Sequence, residues 1–282
     1  MRAKALFGFM QERHAIYTRR QAGQPKPWTR DPILRNYRFC NVYRELDTVT
    51  RWIAKNWRDP HTGDPHVWFA MAAARFVNWP DTLAECGYPV PWEPRVGAYS
   101  MREHFTNTLL MRHSAGEKVF TGAYIINAGT GSKALHVTRG ILTPLWENRE
   151  YIREAATSLA RFHERLMEFR GMGSFMAGQV VCDPKYTRLL DAAPDWWDWA
   201  CPGPGSERGL NRVMGRPAGQ RWKKGEWLPM LLLLKLLVEP LVHDAGMPPV
   251  HAQDLQNCLC EFDKYERVRL GEGKPRSRYA GF

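Results

Sequence analysis

Leu259-Cys-Glu-Phe-Asp-Lys-Tyr265 places a thiol, two carboxylates and an ammonium within two helical turns. With Asp254 and Asn257 upstream, helical spacing puts Asn257, Glu261 and Lys264 or Tyr265 on one face. Asp254, Cys258 and Glu261 share another. Two carboxylates beside a lysine form either an acid–base pair or a plain salt-bridge network. A second cluster lies in residues 34–56, where a helical pattern puts Arg38, Asn41 and Glu45 on one face and Arg44, Asp47 and Arg51 on its neighbour. The interleaved Tyr37, Phe39 and Tyr43 argue for partial burial, and a buried charge needs a partner or a ligand. A solvated helix with charge pairs is the alternative. Gln179, Asp183 and Lys185 form a third cluster. In the fourth, Gly203-Pro-Gly-Ser-Glu-Arg208, the glycines Gly203 and Gly205 lead into a helix start beside an arginine, which suits a phosphate.

These residues need elements to position them. An amphipathic helix runs into Gly171-Met-Gly173, and a short apolar helix leaves through Ser174. This is the layout of a helix-hairpin-helix, whose glycines permit a tight turn and whose second helix offers backbone N–H groups to a DNA phosphate. An ordinary αα-turn is the alternative. Asp64-Pro65 starts a helix running to about Asn78, and Ser100-Met-Arg-Glu103 is a capping box. Residues 80–94 read as an ordered loop and 120–132 as a glycine-bearing connection, the latter carrying Tyr124 and Asn127. A long helix is predicted over 148–169, another after Ser206 to Met214, and two more over 226–244 and 250–267. The expected class is all-α: a basic N-terminal segment over 1–30, one helical catalytic domain over 31–270 with a cleft between two lobes and the hairpin at about 150–183, and a flexible basic tail over 271–282.

Composition limits the function classes. The net charge is +11 over 282 residues, and arginine outnumbers lysine, which favours a polyanionic partner. The most apolar run, Trp227 to Val242, is interrupted by Pro229, Lys235 and Glu239 and falls short of the roughly 20 residues a bilayer span needs. It reads as a buried core helix, and no membrane partner is expected. Cysteines at 40, 86, 182, 201, 258 and 260 lack metal-ligand or iron–sulfur spacing and point to a reducing compartment. Gly129-Thr-Gly-Ser-Lys133 lacks the spacing of a nucleotide-phosphate loop.

The clusters carry a family resemblance. Tyr37-Arg-Phe-Cys-Asn-Val-Tyr-Arg-Glu-Leu-Asp47, Phe120-Thr-Gly-Ala-Tyr-Ile-Ile-Asn127, Gly171-Met-Gly-Ser-Phe-Met-Ala177, Gly203-Pro-Gly-Ser-Glu-Arg-Gly-Leu210 and Leu259-Cys-Glu-Phe-Asp-Lys-Tyr265 occur in one order over residues 30–267. In these the chain resembles the bacteriophage amino acid:DNA transferases and α-glutamyl/putrescinyl thymine pyrophosphorylases, whose helical domain also occurs in 5-hydroxymethyluridine DNA kinases. With no kinase phosphate loop beside the motifs, the transferase is the better match. The resemblance implies a helix-hairpin-helix DNA glycosylase-like fold. The implied reaction replaces the phosphate or pyrophosphate on the 5-methylene of 5-hydroxymethyluracil in DNA with an amine from an amino acid or a polyamine.

The site residues follow as expectations from that chemistry. The base is flipped out of the duplex. Gly171, Gly173, Ser174, Gly203 and Gly205 hold the DNA backbone. Arg44, Arg208 and Lys264 hold the leaving group. Glu45, Asp183, Glu261 or Asp263 takes the amine's proton. Asn41, Tyr124, Asn127, Gln179 and Cys260 line the pocket, and Cys260 is the first choice for a thiol adding to ring C6, against the alternative of a small buried hydrophobe. The scheme needs no metal and no organic cofactor. Its partners are double-stranded DNA carrying the phosphorylated base, the amine donor and the 5-hydroxymethyluridine DNA kinase, in the cytoplasm of the infected bacterial host. Glycosylases place an Asp after the hairpin, where Gly203-Pro-Gly-Ser206 has none; Asp183, Asp195 and Asp198 lie upstream as candidates to replace it. A DNA glycosylase and a non-catalytic DNA-binding module remain the alternatives.

Overall fold

A computed structural model describes residues 2–93, 100–122, 126 and 129–275. Its α-helices are α1 (Ala3–Gln21), α2 (Pro32–Asn36), α3 (Thr48–Ile53), α4 (Val67–Val77), α5 (Pro80–Cys86), α6 (Met101–Ser114) and α7 (Lys133–Val137). They continue as α8 (Thr143–Glu147), α9 (Arg149–Arg153), α10 (Leu159–Met167), α11 (Ser174–Val181), α12 (Pro204–Met214), α13 (Trp227–Asp244) and α14 (Ala252–Arg269). Among the described residues there is no β-strand, so the class is all-α. The chain divides into two units: Met1–Asp47 with Trp197–Phe282, and Thr48–Trp196.

The first unit is built on α14. Its apolar face, Leu255, Cys258, Leu259 and Phe262, is buried with Leu6, Phe9 and Met10 of α1, Leu210 and Val213 of α12, and Leu231, Leu234 and Val238 of α13. The basic N-terminal stretch is therefore a helix seated in this core. Glycine brings α12 against α14: a Cβ on Gly209 would lie 2.0 Å from the Leu259 carbonyl oxygen, and one on Gly205 would lie 2.3 Å from Cys260 Sγ. Pro204 occupies the first turn of α12, and the Gly203 N–H donates to the Ser206 hydroxyl at 3.0 Å. Ser206 thus closes the first turn from within the helix. The run expected to be a buried helix, α13, buries one face only. Leu233, Leu236 and Leu237 on its other face are exposed.

The second unit centres on α4, which is buried along its whole length. Aromatic rings pack around it: Trp68 lies 5.8 Å from Phe162, and Phe69 lies 5.5 Å from Trp92. Ser100 caps α6 through the Glu103 N–H, at the expected capping box.

Three sequence-based expectations are corrected. Residues 34–56 are not one helix. After α2 the chain is extended at Tyr37, makes a 3-10 turn over Arg44–Leu46, and only then enters α3. The Asp47 carboxylate accepts from the Asn41 N–H and Nδ2, and Asn41 Nδ2 also donates to the Leu46 carbonyl. Such local side-chain bonds replace the helical ladder. The faces expected for Arg38, Asn41 and Glu45, and for Arg44, Asp47 and Arg51, therefore do not exist. Residues 148–169 form two helices, α9 and α10. The break falls where Ser158 caps α10 and where Asp195 accepts from the Leu159 and Ala160 N–H groups at 2.8 and 2.9 Å. Residues 80–94, expected as a loop, begin with α5, which uses Pro80 at its first position.

Candidate active site

α14 carries a row of polar side chains that grips the backbone of residues 40–44. The Asp254 carboxylate accepts from the Arg44 N–H at 3.1 Å, and Asn257 Nδ2 donates to the Asn41 carbonyl at 3.2 Å. Cys258 Sγ lies 3.6 Å from the Val42 carbonyl, and Glu261 Oε2 accepts from the Cys40 N–H at 2.9 Å. This row combines the two helix faces read from the sequence. Arg13 reinforces the strap, donating to the Phe39 carbonyl and, at 2.8 Å, to Asn41 Oδ1.

Glu261 also pairs with Lys264 at 2.5 Å, and Lys264 Nζ sits 4.6 Å from the centre of the Phe39 ring. The Glu261 side chain is 10% exposed and that of Lys264 21%, so the pair lies at the edge of the solvent. Cys40 is surface-exposed as a residue, and the Glu261 charge, ahead of burial, holds its thiol well above the ordinary range. Burial pushes the Asp47 carboxyl up, against the Asn41 hydrogen bond and the charges of Arg44 and Arg13. Glu45 lies on the 3-10 turn between these groups, half-buried.

Two residues on from Glu261, and so on another face of α14, Asp263 is the hub of an arginine cluster. Its carboxylate, 1% exposed, accepts from Arg208 Nε at 2.9 Å and from Arg212 Nε at 2.8 Å, and lies 3.4 Å from Arg267 Nε. Cys260, next to it, faces Gly205 in the contact of α12 with α14. Burial, aided by the Glu261 charge, pushes its thiol up to about 11, so it is protonated at neutral pH. A protonated thiol is a poor nucleophile. Gly205 thus serves helix packing in this structure, whereas a Cβ on Gly203 would meet only ordinary contacts with Gln256 and Ser206.

A cavity of about 380 Å³ opens beside this cluster, lined by Phe9 and Leu34 and by Arg2, Glu12, Asp31, Tyr265, Glu266 and Arg269. Tyr265 donates its hydroxyl to Asp31 at 2.6 Å. Burial draws the Glu266 carboxyl up, but hydrogen bonds from Arg269 and Arg2 outweigh it and hold the group below its ordinary range.

The remaining expected residues lie in the second unit or outside the described residues. Asp183 is fully buried, and its two oxygens accept from Arg75 Nε and Nη2 at 2.6 and 2.5 Å. Lys185, also fully buried, donates to the Trp196 carbonyl at 3.0 Å and sits 3.8 Å from the centre of that ring. Asp195 caps α10, and in the first unit Asp198 pairs with Lys235 at 3.1 Å. Gln179 is half-buried on α11. The hairpin joins α10 and α11 through Gly171, whose φ of +85° favours glycine and where a Cβ would press on the Ile141 side chain at 2.6 Å. Gly173 precedes α11 and borders open space, and the Ser174 carbonyl lies 2.9 Å from His163 Nε2. Tyr124 and Asn127 lie outside the described residues.

Sequence reasoning missed Arg75, Arg212, Arg267 and Gly209. Arg75 carried a usable signal: one arginine inside Val67–Val77 must find a buried anion. Gly209, four residues after Gly205, is the spacing that lets two helices approach closely.

The fold and site define a wholly helical domain whose last helix bears the polar cluster. The family described as "5-hmdU DNA kinase, helical domain" matches residues 2–275, and the chain belongs to that family. A 5-hmdU DNA kinase of Bacillus phage SP10 is 30% identical over an alignment of 230 residues, and the match covers 72% of this chain. The match spans about a third of that relative, 34% of its length. No solved structure matches the chain. Among the described residues, no helix is long and apolar enough to cross a membrane.

Proposed function

We propose that the chain acts in thymine hypermodification of phage DNA in the host cytoplasm. It transfers the amine of an amino acid or polyamine onto the 5-methylene of phosphorylated or pyrophosphorylated 5-hydroxymethyluracil. Family membership supports the substrate class, since a kinase acting on 5-hmdU DNA makes the phosphorylated base that such a transfer consumes. The observation that carries the chemistry is the Glu261–Lys264 pair, a nearly buried carboxylate held at the solvent edge on the same helix as the arginine cluster.

In this reading the bond between the 5-methylene carbon and the phosphate oxygen breaks, and its electron pair leaves with the phosphate. The amine nitrogen then bonds to that carbon and gives its proton to Glu261. Lys264 positions the Glu261 carboxylate, and Arg208, fixed through its Nε by Asp263, holds the departing oxygens. Asp263 positions the arginines instead of serving as the base, because its oxygens are already engaged. Asp183 is held by Arg75 and is assigned to stability. Glu45 is the second choice for the base. Cys260 is assigned to packing. The donor's pocket is the cavity beside α14: Asp31 and Glu12 suit an ammonium, and Arg2 and Arg269 suit a carboxylate. The DNA backbone runs over the hairpin at Gly171, Gly173 and Ser174, where Gly173 leaves room for a phosphate.

Glu261→Gln tests the assignment. It is expected to lower amine transfer at least 100-fold, in the range of a lost general base, while duplex binding stays within about twofold. Transfer at the wild-type rate removes Glu261 from the mechanism.

A further inference from the structure

We propose that Arg208, Arg212 and Arg267 form a phosphate-binding site that the chain's own Glu272 occupies in the free protein. Arg208 and Arg212 donate Nε to Asp263, and Arg267 Nε lies 3.4 Å from it, so the carboxylate engages the three arginines through Nε. Arg212 shows what the Nη edge takes. Its Nη1 and Nη2 donate as a fork to the two oxygens of Glu272. Arg208 and Arg267 are each 38% exposed, and among the described residues their Nη groups meet no hydrogen-bond acceptor. A planar guanidinium with a free Nη edge fits phosphate oxygens in pairs.

The charges agree with an exchangeable occupant. Three guanidiniums face the Asp263 carboxylate, and one of them, Arg212, also pairs with Glu272. Asp263 is 1% exposed and stays in place, whereas Glu272 is 44% exposed and lies three residues beyond the end of α14. Its N–H is anchored to the Arg267 carbonyl at 2.8 Å, with Gly271 at φ +72°, so the backbone delivers the carboxylate to the cluster without burying it. Removing Glu272 leaves two uncompensated positive charges, which match a phosphate dianion. The site takes a phosphate oxyanion, either the monoester or pyrophosphate of a modified base or a backbone diester. Only the choice between these sources rests on the transferase reading.

The test uses the full chain and its Glu272→Gln variant, which removes the charge and keeps the backbone anchor. Orthophosphate, pyrophosphate and unmodified duplex DNA are titrated separately by calorimetry. Relief of an exposed ion pair is expected to tighten binding roughly fivefold. Tightening for orthophosphate or pyrophosphate assigns the site to a monoester, and tightening for the duplex alone assigns it to the backbone. Adding Arg267→Gln to Glu272→Gln is expected to abolish the gain, with an unchanged thermal midpoint showing that the double variant folds. Equal affinity of wild type and Glu272→Gln for all three probes overturns the proposal. So does a gain that survives Arg267→Gln. Because binding is read without turnover, a failed transferase reading leaves this result standing.

Discussion

Replacing Arg75 with methionine isolates what Asp183 does. The change keeps a long unbranched side chain and removes both hydrogen bonds to the carboxylate, at 2.6 and 2.5 Å. It also removes the bonds to Thr50 Oγ1 and Asn78 Oδ1. Asp183 is fully buried and Arg75 is 2% exposed, so no water replaces the lost partner. Removing one member of a buried ion pair costs about 3–5 kcal/mol. Asp183→Asn keeps an oxygen for one bond but strands the guanidinium, which places it near the lower end, about 3 kcal/mol. Arg75→Met combined with Asp183→Leu removes both charges and is expected to recover part of the loss. Urea unfolding followed by tryptophan fluorescence reads all three. If Asp183→Asn stays within about 0.5 kcal/mol of wild type, as a neutral surface change does, yet loses amine transfer, the structural assignment is wrong and Asp183 belongs to the catalytic site.

Other perturbations probe the first unit. Gly209→Ala puts a Cβ 2.0 Å from the Leu259 carbonyl oxygen. The cost is expected at about 3 kcal/mol, the upper range of overpacking, and outweighs the roughly 1 kcal/mol helix preference of alanine. A thermal midpoint equal to wild type would show that α12 and α14 do not pack as described. Asp47→Asn removes a carboxyl that burial holds above its ordinary range. A raised carboxyl destabilises the fold when ionised, and this penalty is relieved as pH falls through the raised value. The variant is therefore expected to melt higher than wild type at pH 7 and to lose that advantage in acid; equal midpoints at both pH values contradict the burial argument. If the protein neutralises about five DNA phosphates, log affinity is expected to fall against log salt with a slope near −4.5. A flat response removes duplex DNA as the partner.

How far the site could be read from sequence depended on whether local geometry or long-range packing made it. The row Asp254, Asn257, Cys258 and Glu261 was legible because α14 is a regular helix and its spacing fixes its faces. Residues 37–47 misled because Val42 and Tyr43 are buried by docking on α14, not by a helix of their own. Their apolar spacing imitated a helical period, while Asp47 closed the segment on Asn41. The hairpin's Gly171 was legible as a turn residue, and its positive φ agrees. The roles of Asp263 and Asp183 were not legible, because their partners Arg208 and Arg75 lie 55 and 108 residues away. Gly205 read as part of a phosphate loop because a glycine-rich helix start serves close helix packing and anion binding alike.

Carbon–nitrogen bond formation on a DNA base is the activity proposed for this chain. The most direct test incubates the protein with duplex DNA carrying 5-phosphomethyluracil or its pyrophosphate and a mixture of amino acids and polyamines. The DNA is then digested to nucleosides and analysed by mass spectrometry. The account predicts a new nucleoside heavier than thymidine by one dehydrogenated donor, with phosphate or pyrophosphate released in equal amount. Free base with abasic DNA would contradict it in favour of a glycosylase. Unchanged nucleosides despite tight binding would contradict it in favour of a non-catalytic DNA-binding module.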